Sequence, residues 1–175
     1  MLTKNFWKIF AGLVGRIQGE TKEVTVTLPD NTQYTDTLFA SSSRPYGLLG
    51  VLSTPLCNNY IGSWYGTWFG TGTTPPTIED VTLEAPITDE SIACKGSTQS
   101  LIVVTEPDCV RISAAHSLTN TTSKDITIKE VGCFGKINSE QGAFLLDRTV
   151  LNTPIVIPAG RTVPIEYAIK FPYGT

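Results

Sequence analysis

The feature that most constrains this chain is a period of two. Val163 to Phe171 sets Ile165, Tyr167, Ile169 and Phe171 on one side and Glu166, Ala168 and Lys170 on the other. Cys109 to Leu118 sets Val110, Ile112 and Ala114 inward against Arg111 and Ser113 outward, and Ile126 to Val131 alternates again. Successive side chains of an extended strand point to opposite faces, so this rhythm describes strands with one face on a core and one toward water. Turn chemistry separates the runs, as Glu106-Pro107-Asp108, Asn120 to Asp125 and Pro158-Ala159-Gly160. Composition agrees. The 25 threonines, 15 isoleucines and 12 valines among 175 residues are stiff at χ1 and suit a pleated surface.

Further strands follow from the same signals. Glu23 to Leu28 and Gln33 to Leu38 form a hairpin about Pro29-Asp30-Asn31, while residues 40–59 read as an irregular connection or a short helix. Thr98 to Thr105, Ala143 to Val150 and Pro154 to Ile157 are three more strands, and Gly132 and Gly135 around Cys133-Phe134 predict a bulge. Pro164 makes the last strand an edge strand or marks its start. Roughly eight strands at this spacing predict an all-β fold, an antiparallel β-sandwich or jelly-roll-like domain over 20–175.

Residues 1–19 follow another rhythm. Phe6, Trp7, Ile9, Phe10, Leu13, Val14 and Ile17 make one stripe of an α-helix, with Thr3 as its cap and Gly19 closing its end. Lys8 interrupts what would otherwise resemble a secretory segment. This N-terminal amphipathic helix either closes the β-domain's own core or docks on another subunit. The second reading makes Phe6, Trp7, Phe10, Leu13 and Val14 interface residues. A membrane-surface role is set aside because only Lys4, Lys8 and Arg16 supply positive charge, and no apolar run is long enough to span a bilayer.

The segment Tyr60 to Gly72 alternates large and absent side chains: Tyr60, Gly62, Trp64, Gly66, Trp68 and Gly70 share one face. Glycine between rings lets a backbone or a ring approach closely. Three readings stand: a strand buried on both faces, an aromatic subunit interface through Trp64 and Trp68, or a platform on which those tryptophans stack sugar rings. Downstream, Thr77 followed by Asp80 reads as a helix cap and Pro86 as a stop, predicting a short helical corner.

Signals of chemistry are thin. His116 is the only histidine and has no suggestive neighbours. No nucleophile elbow, phosphate loop or dinucleotide motif occurs. Asp147-Arg148 and Glu79-Asp80 read as strand-end pairing and helix capping. Cys57, Cys94, Cys109 and Cys133 stand singly, without zinc-ligand spacing, and read as free thiols. We therefore expect no enzyme, no metal and no cofactor. A net charge of −3 argues against nucleic acid as the main partner.

Three stretches resemble virion structural proteins of tailed bacteriophages, particularly those of gut bacteria. They are the opening Met1-Leu-Thr-Lys-Asn-Phe6, the Gly70-Thr-Gly-Thr-Thr-Pro-Pro-Thr77 corner with Asp80 and Leu83-Glu-Ala-Pro-Ile87, and a closing run. That run joins Ile126-Thr-Ile-Lys-Glu-Val-Gly-Cys-Phe-Gly135, Leu146-Asp-Arg-Thr-Val-Leu151 and Pro154-Ile-Val-Ile-Pro-Ala-Gly160. The resemblance implies a small β-sandwich in a virion, assembled in the host bacterial cytoplasm. Its partners would be copies of itself and other virion proteins of the portal, neck, tail or capsid. The expected role is a neck or tail subunit (ring, adaptor or fibre attachment). The alternatives are a capsid decoration or head-fibre protein, or a carbohydrate-binding module that takes host glycan on Trp64 and Trp68.

Overall fold

The computed structural model describes residues 1–17, 23–37, 66–88, 91–96, 102–135 and 143–172. Its elements are α1 (Lys4–Ile17), β1 (Glu23–Thr27), β2 (Gln33–Thr37), β3 (Gly66–Gly70), β4 (Ile92–Gly96), β5 (Ile102–Thr105), β6 (Cys109–Asn120), β7 (Ile126–Gly135), β8 (Phe144–Ile157) and β9 (Thr162–Pro172). The fold is all-β, and among the described residues every strand pairing is antiparallel and the one helix is N-terminal.

Two sheets carry the architecture. In one, β7 is flanked by β3 and β8. In the other, β6 pairs with β9 along its length and, on its opposite edge, with β5 and then β4. The alternation explains why they meet face to face. Phe69, Ile128, Val131 and Ile157 of the first sheet pack with Ile92, Leu118, Ile165 and Tyr167 of the second. Removing this apolar surface from water holds the sheets together at ~25 cal/mol per Å². The β1–β2 hairpin adds Val24 and Val26 to an adjoining cluster with Phe144, Leu146 and Ile169, and α1 closes that cluster with Phe6 and Ile9.

Turn chemistry behaves as the residues dictate. Asn31 takes φ 65° in the β1–β2 turn and Gly160 φ 66° in the β8–β9 turn, conformations that a residue with a bulkier or branched side chain resists. Asn120, fully buried, donates to Lys124 O and Ile157 O and accepts from the Thr122 amide and hydroxyl, which fixes the β6–β7 turn. The predicted bulge falls between Cys133 and Phe134, where the β7–β8 register shifts.

Several elements differ from the sequence expectation. Ala143 to Val150 and Pro154 to Ile157 are one strand, β8. A second register shift, between Ile128 and Glu130, accommodates Pro154 at the sheet edge, where a missing N–H breaks no ladder bond. Residues 77–86 form no helix. The Thr77 amide and hydroxyl both donate to the Asp80 carboxylate, while the Asp80 amide goes to Thr77 O and not to the hydroxyl, so only half of a reciprocal cap forms. Asp80 also turns toward an arginine, and the chain continues as a loop. Ser113 is buried, not outward, because the Arg111 guanidinium folds over the same face and donates to its hydroxyl at 3.1 Å. Strand β4 went unanticipated. The irregular segment 40–59, the ends of two expected strands (Leu38 and Thr98 to Leu101) and Cys57 lie outside the described residues.

Helix α1 is secured by polar bonds as well as apolar ones. Thr3 does not cap the helix with its hydroxyl, which donates to Leu145 O at 2.7 Å and Leu146 O at 3.2 Å, while its amide donates to Leu146 O. Residues 1–3 thus run along the β8 edge, with Leu2 opposite Asp147. Asn5, off the apolar stripe, is buried. Its amide group donates to Thr27 O at 2.7 Å and accepts from the Thr27 amide at 2.8 Å. Asn5→Ala would orphan both backbone groups, so we expect a loss of about 1–3 kcal/mol in urea unfolding. Lys8→Ala on the exposed side should stay within about 0.5 kcal/mol.

Candidate functional site

Two features stand out from the scaffold: an outward aromatic face on α1, and a buried charge cluster that fixes the loop beside it.

The helix face arises from a stripe wider than the core can take. Phe6 and Ile9 are each 1% exposed, whereas Trp7 and Phe10 remain 49% and 42% exposed. The exposed rings are held by other rings. Phe6 stacks on Phe171 at 5.7 Å, Trp7 meets Phe6 edge-on at 5.3 Å, and Trp7 and Phe10 meet edge-on at 6.1 Å. Edge-to-face contacts at these separations are favourable and restrict both rings. Exposed Lys4 and Lys8 lie on the same helix, and Lys4 pairs with Glu79. The Leu13 and Val14 side chains, and all of Trp64, lie outside the described residues.

Trp68 is enclosed by its own chain. Strand β3 is buried on both faces. Phe69 enters the inter-sheet core, and Trp68 stacks on Phe134 at 3.9 Å on the outer side, in a cluster with Leu83, Ala143 and Leu145. A ring in that position offers no face to a sugar, so the stacking platform expected of Trp64 and Trp68 loses its Trp68 half. The Trp68 indole Nε1 is buried with no acceptor among the described residues.

The loop that covers Trp68 is fixed by Glu130 and Arg148. Glu130 is fully buried. Its Oε1 accepts from the amides of Gly72 at 3.1 Å and Ala85 at 2.7 Å, and its Oε2 from the Glu84 amide at 3.1 Å and Arg148 Nε at 2.8 Å. Arg148 also donates to Asp80 Oδ2 at 2.8 Å and Thr74 O at 3.2 Å, with Glu84 Oε2 at 3.5 Å. Burial alone would disfavour the charged guanidinium, but the bonds to Asp80 and Glu130 outweigh it and raise the Arg148 pKa. The glycines explain how a carboxylate reaches the backbone. A Cβ at Gly70 would lie 2.5 Å from Glu130 Oε1 and 2.7 Å from Ala85 O, and one at Gly72 would lie 2.6 Å from Glu130 Oε1.

On the opposite face of β8, Asp147 receives a short hydrogen bond from the Tyr167 hydroxyl and pairs with the Met1 amino group at 2.9 Å. Burial, with the Asp147 charge second, pushes the Tyr167 hydroxyl well up and the Cys133 thiol to about 12. Neither is a nucleophile at neutral pH.

A third group, Glu106, Asp108 and Cys109, brings three potential ligand atoms within 4.8 Å of one another. Glu106 is already engaged by Lys170 at 3.1 Å, the Cys109 thiol at 3.3 Å and Arg111 Nε at 2.7 Å, which hold its carboxyl at about 2. These groups neutralise one another and fasten the β5–β6 turn. The backbone of His116 pairs with Gly96 and Ile165, and its side chain lies outside the described residues.

Sequence reasoning missed the Glu130–Arg148 pair. It placed Asp147-Arg148 at a strand end and Asp80 on a helix cap, whereas the fold joins Asp80 to Arg148 across the sheet surface. The signal was a pair of adjacent charges, Lys129-Glu130 and Asp147-Arg148, in each of two neighbouring apolar strands, beside a Gly-x-Gly able to admit a carboxylate.

The chain matches no family model, no curated protein and no solved structure.

Arg148→Met would leave the fully buried Glu130 carboxylate without its cation, and we expect a loss of about 3–5 kcal/mol in chemical unfolding. The paired change Glu130→Leu with Arg148→Met should cost less than the sum of the two single changes, because each single variant strands its partner.

Proposed function

We propose that this chain is a non-enzymatic structural subunit of a tailed-bacteriophage particle, assembling with copies of itself through the outer face of α1, in the neck or tail. The observation that carries the reading is the half-exposed Trp7–Phe10 pair on a helix otherwise fastened to the core. Large aromatics at a rigid surface bury much apolar area on association and lose little conformational freedom.

Two further considerations support it. The polar groups that the fold brings together engage one another: Glu130 with Arg148 and three amides, Glu106 with Arg111 and Lys170, Asp147 with Tyr167. They serve to position loops and strands. The stretches behind the resemblance to virion proteins also hold the framework: Gly70 to Ile87 contains the loop over Glu130, and Leu146 to Leu151 contains Arg148.

Sedimentation velocity on the purified protein tests this reading. We expect a defined multimer, and we expect Trp7→Ser with Phe10→Ser to weaken it by about thirtyfold or more, with the unfolding midpoint little changed, because both rings are exposed in the single chain. A wild-type protein that stays monomeric at high concentration, or a doubly substituted protein that assembles equally well, overturns the proposal.

A further inference from the structure

We propose that residues 72–84 form an acid-released latch, a loop that comes free of Arg148 when its carboxylates are protonated while the two sheets behind it stay folded. The inference does not depend on the assembly reading above.

The geometry is that of a closed loop with a polar fastening. Its ends are tied together: the Thr71 amide donates to Ala85 O, the Ile87 amide donates to Phe69 O, and Gly70 bridges Pro86. Compact loops with adjacent ends open as units. Between those ends Leu83 is the only residue of the loop in the buried apolar core. It rests on Trp68, Phe134, Ala143 and Leu145, apart from the two clusters that hold the sheets, hairpin and helix together. Everything else that holds the loop is polar. Arg148 reaches Asp80, Thr74 O and Glu84, and Glu130 takes the Gly72, Glu84 and Ala85 amides. The Glu84 carboxylate in turn takes the Thr73 and Thr74 amides and the Thr74 hydroxyl, each at 2.7 Å.

One cation therefore serves three carboxylates. From the sheet, Arg148 and Glu130 face the loop. From α1, Lys4 pairs with Glu79, and the Lys4 amide donates to Ile78 O at 3.0 Å. Asp147, with the Met1 amino group, points to the other face of β8. Burial raises the Asp80 pKa, but the bonds from Arg148 and Thr77 outweigh it and keep it below its ordinary 3.8. The Thr74 hydroxyl and amide, then the Thr73 amide and the Arg148 charge, keep Glu84 below 4.5. Carboxyls with lowered values favour the fastened state above the ordinary carboxylate range. They surrender that preference as pH falls through their lowered values. Because Ile78 and Glu79 hold Lys4, an opened loop also loosens the first turn of α1.

Hydrogen exchange on the full chain, corrected for intrinsic rates, tests the latch. Between pH 7 and about pH 3.5 we expect the Gly72, Thr73, Thr74, Glu84 and Ala85 amides, with that of Lys4, to lose about tenfold or more of their protection. The Leu118, Ile128 and Ile169 amides should keep theirs. Asp80→Asn with Glu84→Gln, neutral at every pH, should reproduce the loss at pH 7. Loop and sheet amides that lose protection together in acid overturn the proposal, as does wild-type loop protection in the doubly substituted protein at pH 7.

Discussion

The fully buried carboxylate of Glu130 is the constraint on which the outer half of the molecule depends. Removing a carboxylate from water costs several kcal/mol unless its oxygens find donors. Here three backbone amides and one guanidinium supply them. That solution dictates much else. The amides must come from a backbone pressed onto the sheet, so positions 70 and 72 have no room for a side chain. The loop must then cross β7 at a fixed height, which lowers Leu83 onto Trp68 and Phe134 and sets Ile78 and Glu79 against the start of α1.

The helix is in turn held from three sides. Residues 1–3 extend β8 at its edge, Asn5 occupies the backbone groups of Thr27, and Phe6 and Ile9 fill the cluster beneath. No single one of these contacts is strong. Together they leave α1 one orientation, and that orientation decides which rings meet water. Phe6 turns inward onto Phe171, and Trp7 and Phe10, one residue and one turn further on, are left outside.

Elements governed by local rules were legible in the sequence: the hairpin at residues 23–37, the turn at Pro158 to Gly160, the bulge at Cys133-Phe134, the existence of strands β6 and β7, and the period-two faces of β9. Each depends on neighbours in the chain, and composition reports neighbours well. What the sequence concealed was non-local. Asn5 lies off the apolar stripe, and nothing near it in the chain marks it for burial, because its partner lies 22 positions away. Asp80 carried a helix-cap signature of which the structure makes only the half donated by Thr77, and Arg148, 68 positions on, draws it into a loop. The stripe on α1 was visible, but not which half of it the core would consume, since that depends on where β9 delivers Phe171.

The strand edges sharpen the case for a helix-mediated contact. A β-protein with unpaired edges is open to addition of another chain's strand, and such edges are commonly blunted by proline, charge or a covering segment. All three devices occur here. Residues 1–3 cover the β8 edge near Leu146, and Pro154 interrupts the same strand further along. Along β9 the register with β6 is unbroken from Pro172 to Thr162. A proline in such a strand is accommodated where its nitrogen faces away from the partner. Pro164 and Pro172, of equal parity, thus withdraw donors from the outward edge, while Glu166 and Lys170 add charge beside it. Strand addition there would lose hydrogen bonds and desolvate ions. The proposed association through Trp7 and Phe10 would require neither.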